Sequence, residues 1–227
     1  MRKIELKDIV NIYEYEKQRE QRIKDMLQLK ERRRIHIGDK LLITFENFKT
    51  LLFQIQEMLR AERIVSEEKI QEEIDVYNEL MPQKNELSFT LFIEIPDDEE
   101  RKKLIPKLVG IHDFVALYIM EQSRENNQHA APLLQHHDDD AEEGNNGIDK
   151  IDKPAAVIKG TADKQSALDY KTNRTQMVHF LKFHFNEDEI KQFESGESFI
   201  TVNHPEYNYS SIIEPQLKQE LLDDLLK

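Results

Sequence analysis

The sequence predicts a single α+β domain with a mainly antiparallel sheet, two central packed helices, a charged N-terminal helix and a C-terminal helix. Three patterns predict it. Leu87, Phe89, Leu91, Ile93 and Ile95 alternate with Ser88, Thr90, Phe92 and Glu94, the period-two signature of a half-buried strand. Phe48, Leu51, Leu52, Ile55, Met58 and Leu59 recur at helical spacing instead. Ahead of both, two short alternating runs flank Gly38-Asp39-Lys40 and read as a hairpin.

From the N-terminus, residues 8–31 form a long charged helix with a broken apolar stripe of Ile9, Tyr13, Ile23, Met26 and Leu27. The hairpin follows, and its register can be argued from side chains. A three-residue loop pairs Ile37 with Leu41 and Ile35 with Ile43, so that the apolar residues share one face. The same register sets Arg34 opposite Thr44 and Arg32 opposite Glu46. A two-residue loop would put Arg34 against Ile43, and a one-residue slip exchanges faces.

Residues 48–63 make the first central helix. Ser66 caps the second, Glu67 and Glu68 suit its dipole, and Pro82 stops it. After the strand around Phe89, Asp97 and Asp98 start a short helix that ends near Gly110, and residues 114–120 read as a strand. Downstream, residues 177–185 and 197–202 read as strands, residues 187–193 as a short helix and His204-Pro205 as a turn. Residues 210–226 read as a terminal amphipathic helix.

Between these parts the composition changes. Residues 122–174 hold three of the six glycines, one aromatic (Tyr170) and the run Asp138-Asp139-Asp140. So little apolar surface does not offset chain entropy, and the stretch is expected to be a disordered acidic insertion. Residues 1–121 and 175–227 then make one domain.

Composition excludes several functions. With no cysteine there is no disulfide, thiol nucleophile or cysteine-held metal or iron–sulphur centre. A formal charge of −13 opposes general nucleic-acid affinity, although the first 34 residues carry eleven Lys and Arg against seven Asp and Glu. No apolar run has membrane-spanning length and no signal-peptide core opens the chain, so a cytoplasmic protein is expected. Gly-rich phosphate loops, dinucleotide fingerprints and Gly-x-Ser-x-Gly elbows are all missing. Nor is there a Glu-x-x-His pair of the ferritin-like di-iron kind.

Several words of the sequence carry a resemblance. They are Arg32-Arg33-Arg34-Ile35-His36-Ile37-Gly38, Phe45-Glu46-Asn47, the run from Gln54 to Glu62, Tyr77-Asn78-Glu79-Leu80-Met81-Pro82, Thr90-Leu91-Phe92-Ile93-Glu94-Ile95 and His204-Pro205-Glu206-Tyr207. In these the chain resembles a family of uncharacterised bacterial proteins, a domain of unknown function. Its members are often encoded beside rubrerythrin-like proteins and an iron–sulphur oxidoreductase subunit, which implies a redox or peroxide-stress setting. The acidic insertion and Asn203, where relatives tend to carry Asp, depart from the pattern.

The groups that suit chemistry are arginines and carboxylates. Arg32, Arg34 and Glu46 on the hairpin, Gln56, Arg60 and Glu62 on the first central helix, and Glu94 on the reverse face of the third strand are candidates for binding an anion or a partner. Arginine recognises planar anions through paired hydrogen bonds. The bland alternative is a solvated strand face with one cross-strand ion pair and, on the helix, a structural ion pair. His129, His136 and His137 beside Asp138 suit metals by type, but their flanks would not hold a coordination geometry. His179 and His184 fall on opposite strand faces and cannot share one metal; His179 shares its face with Met177, Leu181 and Phe183 and is expected to be a hydrogen-bonded core histidine. No cofactor or metal is expected. The sequence therefore points to a non-catalytic accessory or ligand-sensing protein, with a small enzyme using Arg and Glu side chains on an anionic substrate as the alternative. Convergence of these groups in one concave pocket would favour the enzyme.

Overall fold

The computed structural model describes residues 2–121, 154–163 and 175–226. The Gly38-Asp39-Lys40 hairpin forms in the argued register: β1 (Arg34–Ile37) and β2 (Leu41–Glu46) pair Ile37 with Leu41, Ile35 with Ile43 and Arg34 with Thr44. The remaining strands are β3 (Glu86–Ile93), β4 (Val115–Met120), β5 (Pro154–Lys159), β6 (Thr161–Ala162), β7 (Val178–His184), β8 (Ser198–His204) and β9 (Tyr207–Ile212). They divide over two antiparallel sheets where one was expected. The first runs β1-β2-β3-β7-β6 and the second β5-β4-β8-β9.

The two sheets enclose one core. Ile37, Phe45, Phe89 and Phe183 of the first meet Leu117, Ile119, Ile200 and Val202 of the second in a single buried cluster. Phe89 stands between Phe45 and Phe183, with ring centroids 5.7 and 4.6 Å away. After α4 (Asp98–Leu104), Ile190 and Phe193 of α5 (Glu187–Ser195) join the same cluster, as do Leu217, Leu221, Leu222 and Leu225 of the C-terminal helix α6 (Pro215–Leu225). Each large aliphatic side chain fully buried there stabilises the fold by about 1.5–3 kcal/mol.

The outer face of the first sheet carries a helical layer of α1 (Ile12–Glu31), α2 (Phe48–Ala61) and α3 (Glu67–Glu79). Its own small core holds Ile4, Leu51, Ile55, Leu59, Ile74 and Met81. Asn47 caps α2, accepting from the backbone N–H groups of Lys49 and Thr50, and Ser66 caps α3 as expected. In α1 the buried residues are Tyr15 and Met26, whereas Tyr13 and Leu27 of the predicted stripe are exposed. Tyr15 faces inward because its hydroxyl donates to Glu57 on α2, 2.8 Å away. A helix whose stripe is broken by charges is oriented by such polar anchors as much as by its apolar period.

Two further expectations need correction. Residues 154–163, assigned by composition to the disordered insertion, form β5 and β6. Ile158 pairs with Leu117 and is only 5% exposed. Pro154-Ala155-Ala156-Val157-Ile158 is a short apolar run inside polar sequence, and β4 supplies the order its own composition lacks. Gly160 turns the chain from one sheet to the other, with its N–H bonded to Val115 O at 2.8 Å; a Cβ there would stand 3.2 Å from that same oxygen. The rest of the insertion, including His129, His136, His137 and Asp138, lies outside the described residues.

The second correction concerns the C-terminus. A strand, β9, occupies Tyr207–Ile212 where the terminal helix was expected to begin. The helix waits for Pro215, whose missing N–H suits a first-turn position.

Candidate functional site

The seven polar groups singled out above do not meet. Arg32 closes the end of α1, and its Nε lies 3.2 Å from Glu220 on α6 rather than opposite Glu46. Arg34 pairs with Glu31 of its own neighbourhood. Gln56 is buried and holds the backbone of Val10 from both sides, accepting from its N–H at 2.7 Å and donating to its carbonyl at 3.1 Å. Arg60 stands 3.6 Å from Glu57 and 4.0 Å from Glu16, a strut between α1 and α2. Glu62 is the exposed C-cap of α2, and Glu94 is exposed beyond β3 with its N–H bonded to Lys40 O at 2.7 Å.

Glu46 is different, and the expected solvated strand face is not what surrounds it. Glu46, Thr44, Ser88 and Thr90 point away from the inter-sheet core, yet all four are buried, because α2 lies over them. The Glu46 carboxylate is 3% exposed. It accepts from Thr90 Oγ1 at 2.6 Å, Thr50 Oγ1 at 2.5 Å and Gln54 Nε2 at 3.0 Å. Three neutral donors replace the cation that usually accompanies a buried carboxylate. This polar layer fastens α2 to the sheet.

The basic residue that sequence reasoning passed over is Arg33. It continues the alternation of Ile35 and Ile37 and so faces inward, 1% exposed. Its Nε donates to Phe45 O at 3.0 Å, Nη1 reaches Glu220 at 3.3 Å, and Nη2 pairs with Asp224 of α6. The alternation was a usable signal; its partners, 187 and 191 residues away, were not.

Glu57 was likewise missed. Arg19 binds it through two parallel hydrogen bonds of 2.9 and 2.8 Å, and that guanidinium holds the carboxyl below its ordinary range. Among the histidines, His179 is buried as expected, 3.1 Å from Thr175 Oγ1, and stacks on buried His112 with centroids 4.9 Å apart. His184 lies on the opposite face beside Glu86 at 3.2 Å.

A polar cleft of about 550 Å³ opens at the hairpin tip. Lys40, Lys103, Lys107, Glu100, Glu206 and Tyr209 contribute to its lining. Tyr207 fixes its floor: its hydroxyl donates to Ile37 O at 2.7 Å and accepts from Lys40 N–H at 2.9 Å. Burial pushes its phenol up to about 12. Lys40 Nζ sits between Asp39 at 2.5 Å and Glu100 at 3.0 Å, which raise its pKa. Lys107 and Glu206, both well exposed, stand 3.5 Å apart. None of the seven residues chosen from sequence lines this cleft.

Fold and site together define a two-sheet α+β domain, helix-clad on one side, in which Arg33, Glu46 and Glu57 tie separate elements together. The chain belongs to the family described as "Protein of unknown function (DUF3501)", whose model matches residues 3–140 and 150–225. It is also similar to a protein of unknown function from Burkholderia pseudomallei K96243 solved by crystallography. The two are 27% identical with a TM-score of 0.78, over 99% of this chain and 100% of that one. No curated protein sequence matches.

Proposed function

We propose that this protein is a non-catalytic accessory or ligand-sensing protein of the cytoplasm, acting in a redox or peroxide-stress setting beside rubrerythrin-like or iron–sulphur oxidoreductase proteins. The observation that carries the non-catalytic part is the dispersal of the candidate groups. Arg32 and Arg34 are engaged with Glu220 and Glu31, Arg60 with Glu57, and Glu46 with three neutral donors. A site for an anionic substrate needs such groups to converge on one point. The redox setting rests on the family resemblance. No helix among the described residues is long and apolar enough to cross a membrane. If a small ligand is sensed, the cleft beside Lys40 and Tyr207 is the place for it, since its lysines come from separate segments and one ion pair there is loose.

The test is affinity purification from the native host, with partner proteins and bound small molecules identified together. Recovery of a rubrerythrin-like or iron–sulphur oxidoreductase protein is the expected result. Turnover of an anionic substrate by the purified chain, abolished by Arg60→Lys without loss of folding, would overturn the proposal in favour of the enzyme.

A further inference from the structure

Strand β5 is an edge: among the described residues it pairs with β4 alone. The ladder decides which of its backbone groups are used. Gly160 N–H donates to Val115 O, so Gly160, Ile158 and Ala156 turn their N–H and C=O groups toward Val115, Leu117 and Ile119. Met120, of the other parity, donates its N–H to Glu197 O on the β8 side. Ala155, Val157 and Lys159 therefore aim their backbone groups away from β4. No hydrogen bond reaches those groups from any described residue.

This free edge is one wall of a groove of about 430 Å³, and the first turn of α5 is the other. Glu187, Asp188 and Glu189 line the groove, and no basic side chain does. Lys191, which pairs with Asp188 at 2.9 Å, and Lys159 stand beyond the lining, as do Glu121 and Glu197. Glu189 accepts from Asn186 N–H at 2.7 Å. Glu187 is exposed and makes no hydrogen bond or ion pair among the described residues.

The free backbone groups suit an added strand, and the carboxylates select its charge. We propose that the β5 edge binds an extended basic segment of a partner protein, which joins the second sheet as a further strand. The segment lies about 4.8 Å from β5 and exchanges hydrogen bonds with Ala155, Val157 and Lys159. Because α5 sends Ile190 and Phe193 into the core, its acidic turn stands on the core side of this edge, whereas Val157 faces outward. A segment that alternates lysine or arginine with aliphatic residues satisfies both sides. The β5 edge of a second copy would bring carboxylates against carboxylates. Pro154 and Lys159 bracket the strand, as residues that blunt an open edge do, and keep the contact short. Three hydrogen-bonding residues make the binding weak, with a dissociation constant of roughly 0.1–1 mM. The inference goes beyond the proposed function and does not rest on it.

NMR of the full chain, titrated with the peptide acetyl-Lys-Val-Lys-Val-Lys-amide, tests it. The amides of Val157 and Lys159 should exchange quickly in the free protein, then shift and become protected as peptide is added. The matching Glu-Val-Glu-Val-Glu peptide should not bind. Val157→Pro removes one outward N–H and spares the β4 ladder, the setting in which a strand tolerates proline. It should weaken binding roughly two- to tenfold, the worth of one hydrogen bond, with an unchanged thermal midpoint showing that it is folded. Glu187→Gln/Asp188→Asn leaves the edge intact and should weaken binding several-fold. Slow exchange of these amides in the free protein overturns the proposal, because the edge is then already paired. So does the absence of shifts along β5 at millimolar peptide, equal binding of the acidic peptide, or affinity unchanged in the Glu187→Gln/Asp188→Asn variant.

Discussion

The side chain of Tyr207 occupies the space beside Gly38. Gly38 has φ +64°, and a methyl group there would run into the Tyr207 hydroxyl and lie 2.7 Å from the ring of Tyr209. The same hydroxyl bridges Ile37 and Lys40, so one phenol from the second sheet holds the tight turn of the first. Gly38→Ala should cost about 1–2 kcal/mol for the left-handed backbone alone, with the clash added to it. Urea unfolding of the variant beside the parent measures this, and an effect below ~0.5 kcal/mol, ordinary for surface changes, would count against the contact.

Alkaline titration should report on the same residue. Tyr207 ionises at about 12 in the folded protein because it is buried, against an ordinary 10.0. A group raised on folding contributes stability that is fully present below pH 10 and is lost as pH rises through 12. Tyr15 and Tyr77, also raised by burial, titrate late in both proteins, so the parent should show one late-titrating phenol more than Tyr207→Phe in difference absorbance. Titration of Tyr207 at the ordinary value would contradict the burial.

Arg33 should behave as a buried ion-pair member. Arg33→Met leaves Asp224 buried beside Glu220, and loss of one partner from such a pair costs about 3–5 kcal/mol. Replacing both, as Arg33→Met with Asp224→Leu, should recover much of that loss. Arg32→Lys and Arg34→Lys touch exposed pairs worth about 0–1 kcal/mol and should unfold like the parent. Chemical denaturation of all four variants separates these cases.

Glu46→Gln removes the charge and turns one accepting oxygen into a donor, so a threonine hydroxyl must turn from donating to accepting, at a cost of about 1–3 kcal/mol. Thr90→Val should cost less, since Glu46 retains Thr50 and Gln54. Equal stability of Glu46→Gln and the parent would refute a fastening role for this layer.

The insertion should be removable only in part. Replacing residues 122–153 by a Gly/Ser linker should leave cooperative thermal unfolding intact, because loop-closure cost grows slowly with length. Removing residues 122–174 should abolish it, since Ile158 and the Gly160 corner leave with them. Identical melting of the two deletions would show that β5 contributes nothing to the core.

Elements with local signals were legible in the order of the residues alone. Alternation placed the hairpin with its register, the strand around Phe89 and the inward face of His179. Helical spacing and caps placed α2 and α3. These depend on which residues are near in the chain, and period and turn chemistry report that directly.

Tertiary structure decided everything that depends on what lies across the fold. Strand patterns carry no record of which sheet a strand joins, so two sheets read as one. Glu46 and Thr44 look like a wet strand face until α2 covers them. Tyr207, Tyr209 and Ser211 alternate with polar residues so weakly in hydropathy that β9 was absorbed into the helix after it. Arg33 acquires its meaning only from Asp224, because burial makes a charge depend on its partner, and that partner is set by the packing of α6 against the core.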